Sequence, residues 1–330
     1  MREDGPTAPN ATTATEGAWT TRRLLQWVTE FLARHAVDAP RLCAELLLSH
    51  VFNCERTRLY MEVDRPASPD ERARLREMVR RAAAHEPVQY LVGETWFYAR
   101  PMFVDRSTLI PRPSTETLVE QAVQFARGRN GGHLRMLDLC TGSGCVAISV
   151  VATLITPRRG AAATAENVPS MSVVASDCVA AATSLALRNA TRHGVQDRIE
   201  FRVGDLYEVL QPSDVATFDL VVANPPYISD IEWTECAPNV RDHEPATALR
   251  GGPDGLRILT PLIHQASKWM TPGGRLLVEI AASQGAAVRT LVQAEPALEF
   301  RDVVQDHEGL DRVLVADCRG ECGRSAASAL

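Results

Sequence analysis

The sequence predicts an α/β fold, with a mainly parallel sheet covered on both faces, behind a small N-terminal helical bundle. Three observations carry this. From about residue 134, apolar strand-like runs alternate with helix-like segments, the pattern of a parallel sheet layered between helices. Between about 19 and 92, apolar residues recur only at helical spacing. The first strand of the alternating region runs straight into a glycine turn that opens a helix. At 330 residues the chain has room for two domains. With 45% hydrophobic and 23% charged residues, its composition excludes wholesale disorder.

In the helical part, Leu24, Leu25, Val28, Phe31 and Leu32 mark a first helix. Leu42, Leu46, Leu47 and Val51 mark a second, after Asp38 and Pro40. A third starts at Ser68, with Pro69 in the first helical position and Glu71 completing a capping box, and stops before Pro87. Residues 93–112 change character: aromatic and β-branched residues flank Ala99-Arg100-Pro101, which predicts a hairpin turning there and bridging the two domains. A helix is expected over Thr115–Phe125. Strands are expected at Arg135–Cys140, Ser172–Asp177, Ile199–Asp205, Phe218–Ala223, Arg275–Ile280, Phe300–Val304 and Arg312–Ala316. Helices are expected up to Ile155, and over Val179–His193, Gly255–Met270 and Gln284–Ala294. Residues 156–170 read as a polar loop, and 1–18 and 319–330 as disordered tails.

Composition removes several functions. The net charge of −6 argues against non-specific duplex binding. Lys268 is the only lysine, which excludes P-loop and lysine Schiff-base chemistry. No apolar run approaches the roughly 18 residues of a membrane span, and the first twenty residues lack a signal or transit pattern, so a cytoplasmic protein is expected. The eight cysteines are scattered and read as reduced thiols. No metal site is expected: the one close exposed pair, Cys318 and Cys322, reads as lying in a polar tail without partner ligands.

Four signals carry chemistry. Asp138-Leu-Cys140-Thr141-Gly142-Ser143-Gly144 lies between a strand and a helix, where glycines let the backbone approach a nucleoside ligand; the bland alternative is a tight turn. Asp177, at the end of the next strand, suits ribose hydroxyls; its alternative is a helix N-cap. Asp205-Leu206 follows the third strand and suits an adenine amino group and ring, or a turn. Finally, an apolar strand ends in Asn224-Pro225-Pro226-Tyr227. Two prolines remove two donors and stiffen the loop. Asn224 adds a side-chain carbonyl and Tyr227 an aromatic face. Such a corner suits a planar –NH2 group, with two acceptors for its hydrogens and a ring to stack on it.

These motifs resemble class I S-adenosylmethionine-dependent methyltransferases acting on amide or exocyclic amino nitrogens. Residues 87–120 (PVQYLVGETWFYARPMFVDRSTLIPRPSTETLVE), 244–256 (EPATALRGGPDGL) and 306–315 are similar to the HemK/PrmC family of release factor glutamine methyltransferases. The resemblance spans about residues 19–318. It implies a Rossmann-like, mainly parallel seven-stranded catalytic domain at 113–318, a hairpin linker at 93–112, and a helical substrate-docking domain at 19–92. It also implies S-adenosyl-L-methionine as cofactor, held by the glycine loop with Asp177, Asp205, Leu206 and Asn224. The implied substrate is the glutamine of the Gly-Gly-Gln motif of class I peptide chain release factors, bound by Asn224, Pro225, Pro226 and Tyr227, with no DNA or membrane partner. Asn224, Pro225 and Tyr227 would be the catalytic residues. Three positions depart from the family pattern: Cys140 and Ala281 stand where glycine is usual, and Ser114 where glutamate is. The remaining readings are a ribosomal-protein glutamine, adenine in DNA, or a silent cofactor-binding scaffold.

Overall fold

The computed structural model describes residues 18–129, 131–156 and 170–319. Residues 157–169 of the expected polar loop, and 1–17 and 320–330 of the expected tails, with Cys322, lie outside the described residues. The chain divides into two units, Met1–Val92 and Gly93–Leu330.

The first unit holds helices α1 (Thr21–Arg34), α2 (Pro40–Phe52), α3 (Arg56–Met61), α4 (Pro69–Ala83) and α5 (Val88–Val92). Val28, Leu32, Leu47, Leu48 and Leu75 meet in its core. The capping box of α4 is formed: Glu71 N donates to Ser68 Oγ (3.2 Å) and Ser68 N to Glu71 Oε2 (2.8 Å). The short helices α3 and α5 were not expected, since five or six residues give too few turns for a periodic signal.

The second unit opens with a hairpin, β1 (Glu94–Phe97) and β2 (Arg100–Phe103). Its turn is not at Ala99–Pro101 as expected. Tyr98 and Ala99 take it, both with left-handed φ (48° and 57°), and Pro101 pairs with Trp96 inside the strands. Two consecutive positive-φ residues make the turn whose twist suits a hairpin. Asn189 pins the hairpin, accepting from Phe103 N (2.7 Å) and donating to Phe103 O (3.0 Å).

Next come α6 (Glu116–Gly128), β3 (His133–Leu139), α7 (Cys145–Ile155), β4 (Ser170–Asp177), α8 (Ala180–Arg192), β5 (Ile199–Val203) and β6 (Phe218–Ala223). An insertion follows with β7 (Ile228–Ser229), α9 (Asp230–Glu235), α10 (Pro238–Arg241) and β8 (Arg250–Gly252). The chain closes with α11 (Leu259–Trp269), β9 (Met270–Glu279), α12 (Gly285–Gln293), β10 (Leu298–Gln305) and β11 (Asp311–Cys318). The seven-stranded sheet has the order β10-β11-β9-β6-β3-β4-β5, and β11 alone runs against its neighbours. Alternate strand residues face opposite cores. Met136, Leu220, Val222 and Leu277 join Leu118 and Val150 of α6 and α7. Leu137, Val221, Leu276 and Val278 join Leu262 and Val288 of α11 and α12.

Three further expectations are corrected. The helix expected over Gly255–Met270 starts only at Leu259, because Gly255 takes a left-handed turn (φ 75°). Met270 opens β9 instead of closing that helix. Cys318 is buried at the end of β11, not exposed in a tail. No described helix is long and apolar enough to cross a membrane.

Candidate active site

Strand order reverses between β3 and β6, and in such sheets ligands bind beyond the carboxyl ends of the strands at that reversal. A cavity of about 730 Å³ lies there, walled by the loops after β3, β4, β5 and β6.

The loop after β3 is shaped residue by residue. Cys140 turns the chain with a left-handed φ of 58°. Thr141 N donates to Ser176 O on the neighbouring strand (2.9 Å). Beneath the loop, Asp138 is fully buried, and Thr141 Oγ1 donates to its Oδ2 (2.7 Å). Burial pushes the Asp138 pKa up to about 7, against the lowering pull of Thr141 and the Ala147 amide. Gly144 caps α7, and a Cβ there would sit 2.9 Å from Ile148 Cδ1 and 3.1 Å from Ala186 Cβ. Gly144 therefore serves helix packing and is not on the cavity wall.

Asp177 lies on the wall at the end of β4. Its Oδ2 accepts from Gly142 N and its Oδ1 from Val179 N, both at 2.9 Å. The N-cap of α8 is Val179, so Asp177 is not a simple helix cap. It ties the glycine loop to the start of α8 with one lone pair per oxygen to spare. Burial raises its pKa as well. Asp205 and Leu206 complete this side of the wall.

Asn224 follows β6, whose last residue, Ala223, pairs with Leu139 on one side and Val278 on the other. Asn224 Nδ2 donates to Thr115 Oγ1 (3.2 Å), leaving the side-chain carbonyl as the group not used by that bond. Asn224, Pro226 and Thr115 lie on the cavity wall; Pro225 and Tyr227 do not. Tyr227 shows no stacking face to the cavity. Its ring packs on the core between the sheet and α11–α12, and its hydroxyl donates to Glu279 Oε1 (3.0 Å). Burial and the Glu279 charge raise the Tyr227 pKa, so it stays a neutral donor.

The sequence reading missed several supports. Gln284 Nε2 donates to Tyr227 O (3.1 Å) and Gly255 O (3.2 Å), clamping the loop after β6 to the insertion. Glu244, buried, accepts from Ile110 N (3.2 Å) and from Arg112, which ties 110–112 to the same insertion. Arg112, Glu244 and Gly255 lie within the segments that carried the resemblance. Thr115 lies there too, but nothing in the sequence marked its contact with Asn224, and Gln284 had no local signal.

The wall suits a cationic nucleoside. Asp177 and Asp205 supply acceptors for hydroxyl and ammonium groups. Ser143 Oγ is buried on the wall without an oxygen or nitrogen partner among the described residues. The volume falls in the range of small-ligand pockets. The fold and this site define a class I S-adenosylmethionine-dependent methyltransferase.

Comparison with known proteins narrows the class. Residues 23–93 match the PrmC N-terminal domain, and residues 110–237 the RMKL-like methyltransferase domain. The release factor glutamine methyltransferase of Rhodopirellula baltica is 34% identical over 306 residues, 92% of this chain and 98% of that protein. The protein of the same name from Nitratidesulfovibrio vulgaris is 38% identical over 298 residues, 90% and 95% of the two chains. A solved ribosomal protein L11 methylase from Lactobacillus delbrueckii subsp. bulgaricus aligns with a TM-score of 0.42 at 18% identity, covering 63% of this chain and 80% of its own. The chain belongs to the release factor glutamine methyltransferase family.

Proposed function

We propose that this enzyme methylates the side-chain amide nitrogen of the glutamine in the Gly-Gly-Gln motif of class I peptide chain release factors. The observation that carries the reading is the Asn224 carboxamide, tethered through Nδ2 at the switch-point cavity so that its carbonyl is left to accept. Family membership supports the same substrate.

An amide nitrogen is a poor nucleophile because its lone pair is delocalised. Asn224 Oδ1, on the cavity wall, accepts one of its N–H groups, holds it in one orientation and stabilises the positive charge that develops on it. Pro225 and Pro226, having no N–H, leave the corner without competing donors. Tyr227 anchors that corner from behind through Glu279. Asp177, Asp205 and the Cys140–Ser143 loop hold S-adenosylmethionine, with Leu206 against its base. When bound, this cofactor supplies an electrophilic sulfonium methyl group. No ionised side chain is needed to activate the nitrogen, since the product sheds its proton afterwards. The helical first unit is the docking element for the body of the release factor.

The test is transfer of labelled methyl from S-adenosylmethionine to purified release factor, to ribosomes and to DNA in parallel, followed by mass spectrometry of the modified peptide. The reading expects N5-methylglutamine in the Gly-Gly-Gln peptide. Label in ribosomal protein or DNA alone overturns it.

A further inference from the structure

Asn189 lies in α8 and is wholly buried. A buried carboxamide is costly unless its donors and acceptor find partners. Here all of them do. Oδ1 accepts from Phe103 N (2.7 Å). Nδ2 donates to Phe103 O (3.0 Å) and to Ser143 O (2.9 Å), one hydrogen for each carbonyl. Only one orientation of the amide satisfies this set. Turned over, it would set N–H against N–H and its oxygen against two carbonyls.

The two partners of Asn189 belong to two walls of the cavity. Ser143 is on the glycine loop and on the wall itself. Its carbonyl comes one residue before Gly144 O, which accepts from Ile148 N (3.0 Å) at the start of α7. Phe103 ends β2. Just beyond it, Asp105 Oδ1 accepts from Ser107 N (2.8 Å), and Ser107, Thr108, Leu109 and Pro111 then line the same cavity. Asn189 stands behind both walls and on neither. Its surroundings keep the three segments in close register. The Arg188 and Arg192 guanidinium groups lie over the Phe103 ring, 5.0 and 4.5 Å from its centre. Gly144 meets α8 so closely that a Cβ would sit 3.1 Å from Ala186 Cβ.

Resting on the reading above that the Cys140–Ser143 loop holds S-adenosylmethionine, we propose that Asn189 is a positioning residue for cofactor binding. It sets the span between the glycine loop and the 107–111 segment. The residue touches neither cofactor nor substrate. It fixes the two walls at one spacing before the cofactor arrives, so less ordering is left for binding to do.

Asn189→Ala removes all three bonds. His193→Ala is the control, because His193 Nε2 holds the hairpin to the end of α8 through Pro101 O (2.9 Å) without touching the glycine loop. In methyl transfer, KM for S-adenosylmethionine is expected to rise about 10-fold in Asn189→Ala, with kcat at saturating cofactor within about twofold of wild type. Calorimetry should show the same loss of affinity, and His193→Ala should show neither change. A residue that only stabilises the fold would lower the amount of active enzyme and leave KM alone. An unmoved KM in Asn189→Ala therefore overturns the proposal, and so does an equal rise in His193→Ala. Should Asn189→Ala not fold, hydrogen exchange on the wild type decides. The Phe103 amide is expected to slow on adding S-adenosylmethionine at 100 times its Kd, by about 10-fold or more, and to slow more than the amides of β10 at the far edge of the sheet. Slowing no greater than in β10 overturns the proposal. Gly142→Val checks the underlying reading separately, since Gly142 is on the cavity wall and nothing lies within 4 Å of a Cβ there. Wild-type cofactor affinity in Gly142→Val overturns the loop's role in holding the cofactor. Affinity lost in Gly142→Val but kept in Asn189→Ala overturns the bridge alone.

Discussion

Gly255 is where a single added methyl group should do most damage at a distance. Its φ of 75° is left-handed, and a Cβ there would lie 2.3 Å from Tyr227 O and 2.5 Å from Gln284 Nε2. Alanine in the left-handed region costs about 1–2 kcal/mol, and overpacking against backbone about 1–3 kcal/mol. Together Gly255→Ala should destabilise the second unit by about 2–5 kcal/mol. Gly194 is the control: its φ is also left-handed (65°), but nothing lies within 4 Å of an added Cβ. Gly194→Ala should therefore cost only the conformational part, about 1–2 kcal/mol. Denaturant midpoints of both variants against wild type measure the difference. Methyl transfer should also fall in Gly255→Ala, because the atom struck is the carbonyl of the residue that ends the Asn-Pro-Pro-Tyr corner. Equal midpoints for the two variants would refute the overlap argument, and a Gly255→Ala midpoint within error of wild type would refute the whole of it.

Other expectations follow from the same wall. Cys140→Gly removes a side chain from a left-handed position (φ 58°) and should stabilise by up to about 1 kcal/mol, seen as a rise in melting temperature. A fall would mean the thiol packing outweighs the strain. Asp138 has its pKa raised from 3.8 to about 7 by burial, so the fold favours its protonated form. Its contribution is fully present below the unfolded pKa and is lost as pH rises through 7, at up to about 1.4 kcal/mol per pH unit. Wild type without cofactor should thus lose stability between pH 5.5 and 8 relative to Asp138→Asn, and parallel denaturation curves at the two pH values would contradict this. Asp177→Ala should weaken S-adenosylmethionine binding by about 10-fold or more in calorimetry, since it removes an acceptor and the tether of Gly142. Unchanged affinity would leave Asp177 only a loop brace.

Much of this was legible in the residues. Seven apolar runs became the seven strands because a parallel sheet buried on both faces leaves an uninterrupted hydrophobic signature. The glycine loop and the Asn-Pro-Pro-Tyr corner announced themselves because each needs its residues in sequence. What stayed hidden was assembled across the chain. Thr115 reaches Asn224 over 109 positions, and Tyr227 reaches Glu279 over 52. Neither leaves a local or periodic trace. The hairpin turn was misplaced for a different reason: turn chemistry points to Gly, Asn and Pro, and here Tyr98 and Ala99 adopt positive φ under tertiary constraint. The insertion from 228 to 258 gave no period because its strands are only two and three residues long.

The central claim is that a tethered carbonyl at Asn224 grips the substrate amide. Single-turnover methyl transfer by Asn224→Ala, at saturating S-adenosylmethionine and release factor, tests it most directly. A rate lower by about 10² or more with undiminished cofactor affinity is the predicted result. A rate equal to wild type would contradict it.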